Sequence, residues 1–139
     1  KTAYEIGVRL VGSEMCIRDR IMDTIESTKN NTGLVLTLAL SYGGRQEIVD
    51  AINKIIMSDN KYINEEIFQN YLYAPTMPDP DLIIRTGGEN RLSNFLLWQS
   101  AYSEIHISKK NWPEFAEDDL ISALNDFGQR KRKYGKVLS

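Results

Sequence analysis

The sequence predicts an α/β fold whose mainly parallel sheet is flanked by helices. Residues 34–42 and 82–84 are apolar at nearly every position rather than at alternate ones, which is typical of parallel strands buried on both faces. A turn that contains glycines and then a helix-forming segment follow each of these runs. Because no internal repeat or low-complexity linker interrupts this order, we expect a single layered α/β domain.

The first half of the chain is predicted to alternate strands with helices. A short strand is predicted over residues 7–11 and a helix over residues 21–29. A turn that contains asparagine and glycine ends this helix. The apolar run at 34–42 is the first buried strand, and a glycine pair then opens a helix over residues 45–57. The isoleucines that share one face of this helix are Ile48, Ile52, Ile55 and Ile56.

The second half continues the alternation. A weaker helix is predicted over residues 64–72, and three prolines then impose an extended connection to the strand at 82–84. A helix over residues 94–101 and a short strand around 105–107 follow. The apolar face of a terminal helix is formed by Leu120, Ile121, Leu124 and Phe127.

Composition restricts the class of protein. The 139 residues carry a net charge of −2 and are 42% hydrophobic, which gives enough material for a core and does not suggest a nucleic-acid partner. A single cysteine, Cys16, excludes an internal disulfide framework, and no cysteine–histidine spacing predicts a zinc site. The most apolar run is too short to span a bilayer. We therefore expect a cytoplasmic protein.

The turn after the second apolar run has the chemistry of an anion site. Arg85 and Arg91 can each offer a planar fork of donors, and Gly87-Gly88 would let free backbone N–H groups approach a ligand. Ser93 could cap the following helix, whose first N–H groups also favour negative charge. The alternative is an ordinary strand-to-helix turn, with the arginines solvated or paired with the glutamate of the same turn. The residues of this turn leave the two readings equally open.

Four motifs stand in a fixed order along the chain. They are residues 30–34 (NNTGL), 41–45 (SYGGR), 81–89 (DLIIRTGGE) and 91–99 (RLSNFLLWQ). Ala101-Tyr102, Glu104 and Trp112-Pro113 come after them. Together these residues closely resemble the cis-prenyltransferases, typified by undecaprenyl diphosphate synthase, and the likeness runs over residues 7–138 apart from one gap.

The resemblance implies an activity and assigns residues to it. The family condenses isopentenyl diphosphate repeatedly with an allylic, farnesyl-type diphosphate, using Mg²⁺, to make a long polyprenyl (undecaprenyl) diphosphate, the lipid carrier precursor for cell-wall synthesis. The residues that match the isopentenyl diphosphate ligands are Arg85, Arg91, Leu92 and Ser93, with Gly87, Gly88, Asn90 and Arg45 as further candidates. Glu104 matches a Mg²⁺ ligand. The family also implies a homodimer, and at most peripheral contact with the inner membrane face for product release.

Two departures limit what we expect of this chain alone. The family's phosphate loop, Asp-Gly-Asn-Gly-Arg-Trp, and its Ser-x-Glu-Asn-Trp segment occur nowhere in the sequence. We therefore interpret residues 1–139 as the carboxy-terminal part of one cis-prenyltransferase domain, with a sheet incomplete at the amino terminus, no catalytic residue and no turnover by itself. Residues 11–20 replace the family's continuation of its first strand and are similar to translated sequencing-adapter read-through. We interpret that segment as non-native.

Two other functions are alternatives to the enzyme. A non-catalytic partner subunit of a heteromeric cis-prenyltransferase would share the fold, but such partners typically lose the arginine, serine and glutamate residues that are kept here. A generic phosphate-binding α/β module would share the turn and lack the other ordered motifs. The retained motifs favour the enzyme.

Overall fold

The structure, a computed structural model, describes residues 15–131. Two compact units divide the chain: Lys1–Tyr42 with Asp50–Pro75, and Gly43–Val49 with Thr76–Ser139. The predicted strand at 7–11 and the first part of the segment at 11–20 lie outside the described residues, as do the last eight residues. The second unit contains the predicted anion turn.

The helix predicted at 21–29 is present and begins earlier. Helix α1 spans Met15–Thr28 in the first unit, and the amide of Asn31 donates to the carbonyl of Thr28 (2.9 Å) just beyond its end. Ile21 and Ile25, one turn apart, are half-buried. The helix thus includes residues 15–20 of the segment that we interpret as non-native.

The buried strand predicted at 34–42 is wrong. The backbone there forms no strand, and its apolar side chains are exposed, by 94% at Leu34, 72% at Val35 and 75% at Leu36. An apolar run indicates a tendency to be buried, whereas a strand also requires a neighbour that completes its backbone hydrogen bonds. Within residues 15–131 the sheet consists of two strands, and neither belongs to this segment.

Helix α2, Gly44–Ile56, agrees with the predicted helix to within a residue, but the buried face differs from the predicted one. Gly44, Glu47 and Ala51 are buried, while Ile52 is 44% exposed and Ile56 74% exposed. Gly44 and Ala51 are small and allow a close approach of neighbouring atoms, while Glu47 is buried with its hydrogen-bond partner Gln99.

Helix α3, Glu65–Gln69, is shorter than predicted and begins with a cap. The side chain of Asn64 accepts a hydrogen bond from the amide of Ile67 (2.8 Å), which satisfies one of the free donors at the start of the helix. Phe68 and Leu72 are buried in the first unit.

The two predicted short strands are confirmed, and they are parallel. Strand β1 spans Leu82–Arg85 and strand β2 spans Glu104–Ile107, with Leu82 opposite Glu104 and Arg85 opposite Ile107. The parallel sheet of the predicted fold class is therefore present.

The helix predicted over residues 94–101 is wrong. The segment between the strands is a series of turns, because Ser93, Asn94 and Leu96 have φ angles of +49°, +66° and +45°. Left-handed residues cannot continue the hydrogen-bond ladder of a right-handed helix. The apolar run Phe95-Leu96-Leu97-Trp98 therefore folds as turns even though its composition suits a helix.

The terminal helix is present, with a different buried face. After a 3₁₀ turn at Trp112–Glu114, helix α4 spans Glu117–Gln129 and buries Ala123. The predicted apolar face is largely exposed, by 42% at Leu120, 48% at Ile121 and 51% at Leu124. None of the helices in the described part of the chain is long and apolar enough to cross a membrane.

Candidate functional site

The glycine pair shapes the turn after β1. Gly87 and Gly88 have φ angles of +85° and +71°, which other residues adopt only with strain. Their N–H groups are not free, however: Gly87 donates to the carbonyl of Lys110 and Gly88 to that of Ser108, both at 2.8 Å. The expectation of free amides for a ligand is therefore wrong. The glycines instead attach the turn to the chain that leaves β2.

A cavity of about 550 Å³ lies beside this turn. Ile105 and Ile107 of β2 both line it, as residues two apart on a strand share one face. The turn contributes Asn90, Arg91 and Leu92 to the wall. The remaining lining residues are Ile83, Ile84, Arg85, Thr86 and Phe95. The cavity thus combines apolar walls with two guanidinium groups, which suits a ligand that has an anionic head and an apolar body.

Arg85 has an unusual polar environment in this cavity. It ends β1, is half-buried, and its Nε is buried with no hydrogen-bond partner among the described residues. A buried donor without an acceptor costs about 1–3 kcal/mol, so proteins seldom retain one without a reason. An anion bound in the cavity closely enough to reach Nε would supply the missing acceptor.

Arg91 follows the alternative interpretation of the turn. Its guanidinium donates to the carboxylate of Glu89, and the two side chains are 63% and 47% exposed. An exposed pair of this kind contributes about 0–1 kcal/mol, so a stronger anion can displace the glutamate. Arg91 therefore lies at the cavity mouth with a weakly held partner.

Ser93 is not a helix cap in this structure. Its φ of +49° lies outside the extended region that N-cap residues adopt, and turns rather than a helix follow it. Ser93 is exposed and is not among the lining residues, whereas its neighbours Leu92 and Arg91 are. The structure thus brings three of the four principal candidates to one cavity and places Ser93 next to them in the chain.

Arg45 lies at a different place in the second unit. Its side chain lines a smaller cavity of about 250 Å³ together with Asn94 and Leu97. Its amide N donates to Oδ1 of Asn94 (2.9 Å). The structure therefore does not place Arg45 among the residues around Arg85.

Glu104 faces away from the cavity and belongs to a charged cluster between β2 and α4. Its Oε2 accepts from Nη1 of Arg130 (2.9 Å), and Nη2 of the same guanidinium donates to Oδ2 of Asp126 (2.6 Å). Nδ1 of His106 lies 2.9 Å from that Asp126 oxygen. The bonds from Asp126 and then Glu104 raise the pKa of Arg130, and those from Arg130 and then His106 lower the pKa of Asp126.

The surroundings of Glu104 bear on whether it could be a ligand of Mg²⁺. Residues 15–131 contain no group of three or more His, Cys, Asp or Glu side chains that could hold an ion. Mg²⁺ needs only one or two carboxylates when phosphate oxygens and water complete its shell, and Glu104 supplies a hard oxygen of this kind. By donor chemistry Glu104 therefore fits, provided that the ion shares or replaces Arg130.

The sequence pattern did not indicate the residues that join the turn segment to the start of α2. Asn94 accepts from Arg45 and, through its carbonyl, from the amide of Gly44 (2.7 Å), while Gln99 donates to Glu47 (3.1 Å) in a buried pair. Arg130 was also missed as a partner of Glu104. The glycine pair Gly43-Gly44 was the available signal, since adjacent glycines often mark a close approach of another segment.

Comparisons with known proteins indicate one family. A family model described as "Putative undecaprenyl diphosphate synthase" matches residues 3–135. An isoprenyl transferase of Rickettsia felis is 54% identical over 120 residues, which make up 86% of this chain and 51% of that protein.

Solved structures show the same likeness. Lavandulyl diphosphate synthase from Lavandula x intermedia, in complex with dimethylallyl diphosphate, has a TM-score of 0.81 and 36% identity over 86% of this chain and 54% of that one. A probable undecaprenyl diphosphate synthase from Campylobacter jejuni has a TM-score of 0.76 and 37% identity over 90% and 59%. The chain spans about half the length of the curated relatives that it matches.

Proposed function

Because the chain belongs to the undecaprenyl diphosphate synthase family, we propose that it supplies the isopentenyl diphosphate site of an isoprenyl transferase. One observation carries this assignment: the buried Nε of Arg85, which has no partner among the described residues and lies at a cavity with apolar walls. Isopentenyl diphosphate matches both parts, since its diphosphate accepts from guanidinium groups and its five-carbon body is apolar.

The proposed ligand contacts follow from the cavity. Arg85 binds the diphosphate from the base of the cavity, and Arg91 exchanges Glu89 for it at the mouth. Leu92 packs against the hydrocarbon, and Asn90, which lines the same cavity, donates its side-chain amide to a phosphate oxygen. Ser93, adjacent to the lining residues, completes the set only if its side chain turns toward the ligand.

The proposed reaction is a Mg²⁺-dependent condensation with cis geometry. A carbon–carbon bond forms between isopentenyl diphosphate and the allylic carbon of a farnesyl-type diphosphate, whose bond to its own diphosphate group breaks. A proton then leaves the isopentenyl unit to give the new double bond, and repetition gives a long polyprenyl (undecaprenyl) diphosphate. The isopentenyl diphosphate must stay attached and oriented throughout, which is the task that a rigid arginine turn can perform. We propose a cytoplasmic homodimer with at most peripheral membrane contact.

Glu104 is the proposed protein ligand of Mg²⁺. When bound, such an ion neutralises charge on a departing diphosphate. The contribution of this chain is the carboxylate itself, held on β2 by Arg130. We also propose that the 139-residue chain does not turn over by itself, since the family's phosphate-loop motif is absent from its sequence.

Calorimetric titration of the 139-residue chain with isopentenyl diphosphate tests the proposal. We expect binding by the parent chain and a loss of about thirty- to a hundredfold in affinity for Arg85→Met, because a charged hydrogen bond in a partly desolvated cavity is removed. The matched control is Arg20→Met, which removes one positive charge from an exposed position of α1. Absence of binding by the parent chain, or equal losses in the two variants, would contradict the assignment.

A further inference from the structure

The turn segment that follows the anion turn is fixed to the start of α2 by one asparagine. The carbonyl of Asn94 accepts from the amide of Gly44 (2.7 Å), and its Oδ1 accepts from the amide of Arg45 (2.9 Å). These are amides at the start of α2, which have no acceptor inside the helix. Asn94 is thus an N-cap supplied from a segment 49 positions away in the sequence.

The backbone of this segment requires the same residue. Asn94 has a φ of +66°, between Ser93 at +49° and Leu96 at +45°. Asparagine tolerates the left-handed region better than most residues with a side chain, and it is also among the best capping residues. Position 94 needs both properties at once.

Close packing at a glycine pair and a buried hydrogen bond also hold the segment in place. A Cβ on Gly43 would lie 2.8 Å from Nδ2 of Asn94, and one on Gly44 would lie 2.9 Å from Cγ of Leu97, so only glycines allow this approach. Beyond it, Gln99 and Glu47, 5% and 2% exposed, form a buried hydrogen bond of 3.1 Å. The segment from 94 to 99 is therefore hydrogen-bonded to the start of α2 at Asn94, packed closely against it at Leu97 and hydrogen-bonded to it again at Gln99.

We propose that Asn94 is a positioning residue for isopentenyl diphosphate binding, an inference that rests on the proposed function. Asn94 lies three residues after Arg91. Between them are Leu92, which lines the cavity, and Ser93, which does not. By fixing its own backbone to α2, it fixes the end of the loop from which Arg91 and Ser93 project. Without the cap, this loop samples conformations that do not bind, and the affinity falls by the fraction of competent molecules.

Three substitutions separate the two properties of the asparagine. Asn94→Ala removes the capping oxygen and disfavours the left-handed backbone. Asn94→Gly keeps the backbone conformation and loses the cap, whereas Asn94→Asp keeps an acceptor for the amide of Arg45. Titration of the 139-residue chain with isopentenyl diphosphate, at about 0.15 M salt to screen the added charge, is expected to give affinity about tenfold weaker for Asn94→Ala, intermediate for Asn94→Gly and near the parent for Asn94→Asp.

The matched control is Asn64→Ala. Its Oδ1 likewise accepts a hydrogen bond from a helix amide, that of Ile67 (2.8 Å), but Asn64 caps α3 in the other unit. We expect this variant to lose stability as Asn94→Ala does and to keep the parent affinity, when all titrations are run well below the unfolding midpoints. A merely structural role for Asn94 would make the two variants behave alike.

The outcomes distinguish this inference from the proposed function. The expected order of affinities, with Asn94→Asp rescuing the alanine variant, supports Asn94 as a positioning residue. Parent binding that Asn94→Ala leaves unchanged, a failure of Asn94→Asp to rescue, or an equal loss in Asn64→Ala overturns the inference alone. If the parent chain does not bind isopentenyl diphosphate, the proposed function fails and this inference fails with it.

Discussion

Arg85 and Arg130 lie on opposite faces of the two-stranded sheet and differ in their hydrogen-bond partners. On the face of Ile105 and Ile107, Arg85 borders an apolar cavity and its Nε has no partner among the described residues. On the other face, Arg130 donates to two carboxylates and to the carbonyl of Ile105 (3.1 Å). The Nε of Arg85 thus lacks an acceptor among the described residues, whereas Nη1 and Nη2 of Arg130 each have one.

This difference separates a binding role from a structural one. A cation with its partners in the same chain holds elements together, here α4 against β2. A buried donor that the fold leaves without an acceptor costs stability, and a bound anion would offset that cost. Substitution of Arg85 should therefore lower ligand affinity, whereas substitution of Arg130 should lower stability.

The substitution Arg130→Met should give the largest loss of stability. It removes the guanidinium between Glu104 and Asp126 and leaves two half-buried carboxylates without their shared cation. We expect a clear fall in the thermal unfolding midpoint with isopentenyl diphosphate affinity little changed, whereas Arg85→Met should show the reverse. Circular dichroism melting and calorimetry on the same samples measure both quantities.

Arg91→Met is the control for stability, because it removes an arginine paired with one exposed carboxylate. Its midpoint should stay close to that of the parent.

Acid should reproduce the effect of Arg130→Met. The pKa of Asp126 lies below its ordinary value in the folded chain, so the stability that the ionised carboxylate contributes at neutral pH is lost as the pH falls through that lowered pKa. A midpoint unchanged in Arg130→Met would show that the cluster does not hold α4.

A smaller loss is expected at the turn that closes the cavity. Gly87→Ala places a side chain at a φ of +85° and should cost about 1 kcal/mol of unfolding free energy, with weaker binding of isopentenyl diphosphate as the turn shifts. Gly33→Ala is the control, because nothing lies within 4 Å of an added Cβ there. Urea unfolding of both variants tests this, and equal costs would indicate that the left-handed conformation of Gly87 is not required.

The sequence predicted most correctly where local chemistry decides the structure. β1, β2 and the extent of α2 were predicted from apolar patterning and glycine punctuation, and so was the place of Arg85 at the end of a strand. The Leu34 to Leu40 run failed for a physical reason: burial depends on neighbours that a local pattern cannot supply. The same pattern is compatible with a buried strand and with an exposed extended segment.

The remaining errors share one cause, which is backbone that distant contacts impose. Residues 94–101 have helical composition, yet Ser93, Asn94 and Leu96 have left-handed φ angles, and Asn94 bonds to the start of α2. The amides of Gly87 and Gly88 were expected to be free, yet their acceptors are the carbonyls of Lys110 and Ser108, far later in the chain. Tertiary hydrogen bonds of this kind leave little trace in periodicity.

The smallest expected effect concerns Arg91, whose state lies between those of Arg85 and Arg130. Glu89→Gln removes the carboxylate that occupies its guanidinium, so a diphosphate no longer has to displace a charged partner. We expect affinity for isopentenyl diphosphate to rise about two- to fivefold, within the 0–1 kcal/mol of an exposed pair, and the gain to shrink with added salt. Glu114→Gln, an exposed carboxylate after the Trp112-Pro113 turn, should leave affinity unchanged. A loss of affinity in Glu89→Gln would mean that the glutamate orients Arg91 for the ligand, and that the mouth of the cavity is as preorganised as the cluster around Arg130.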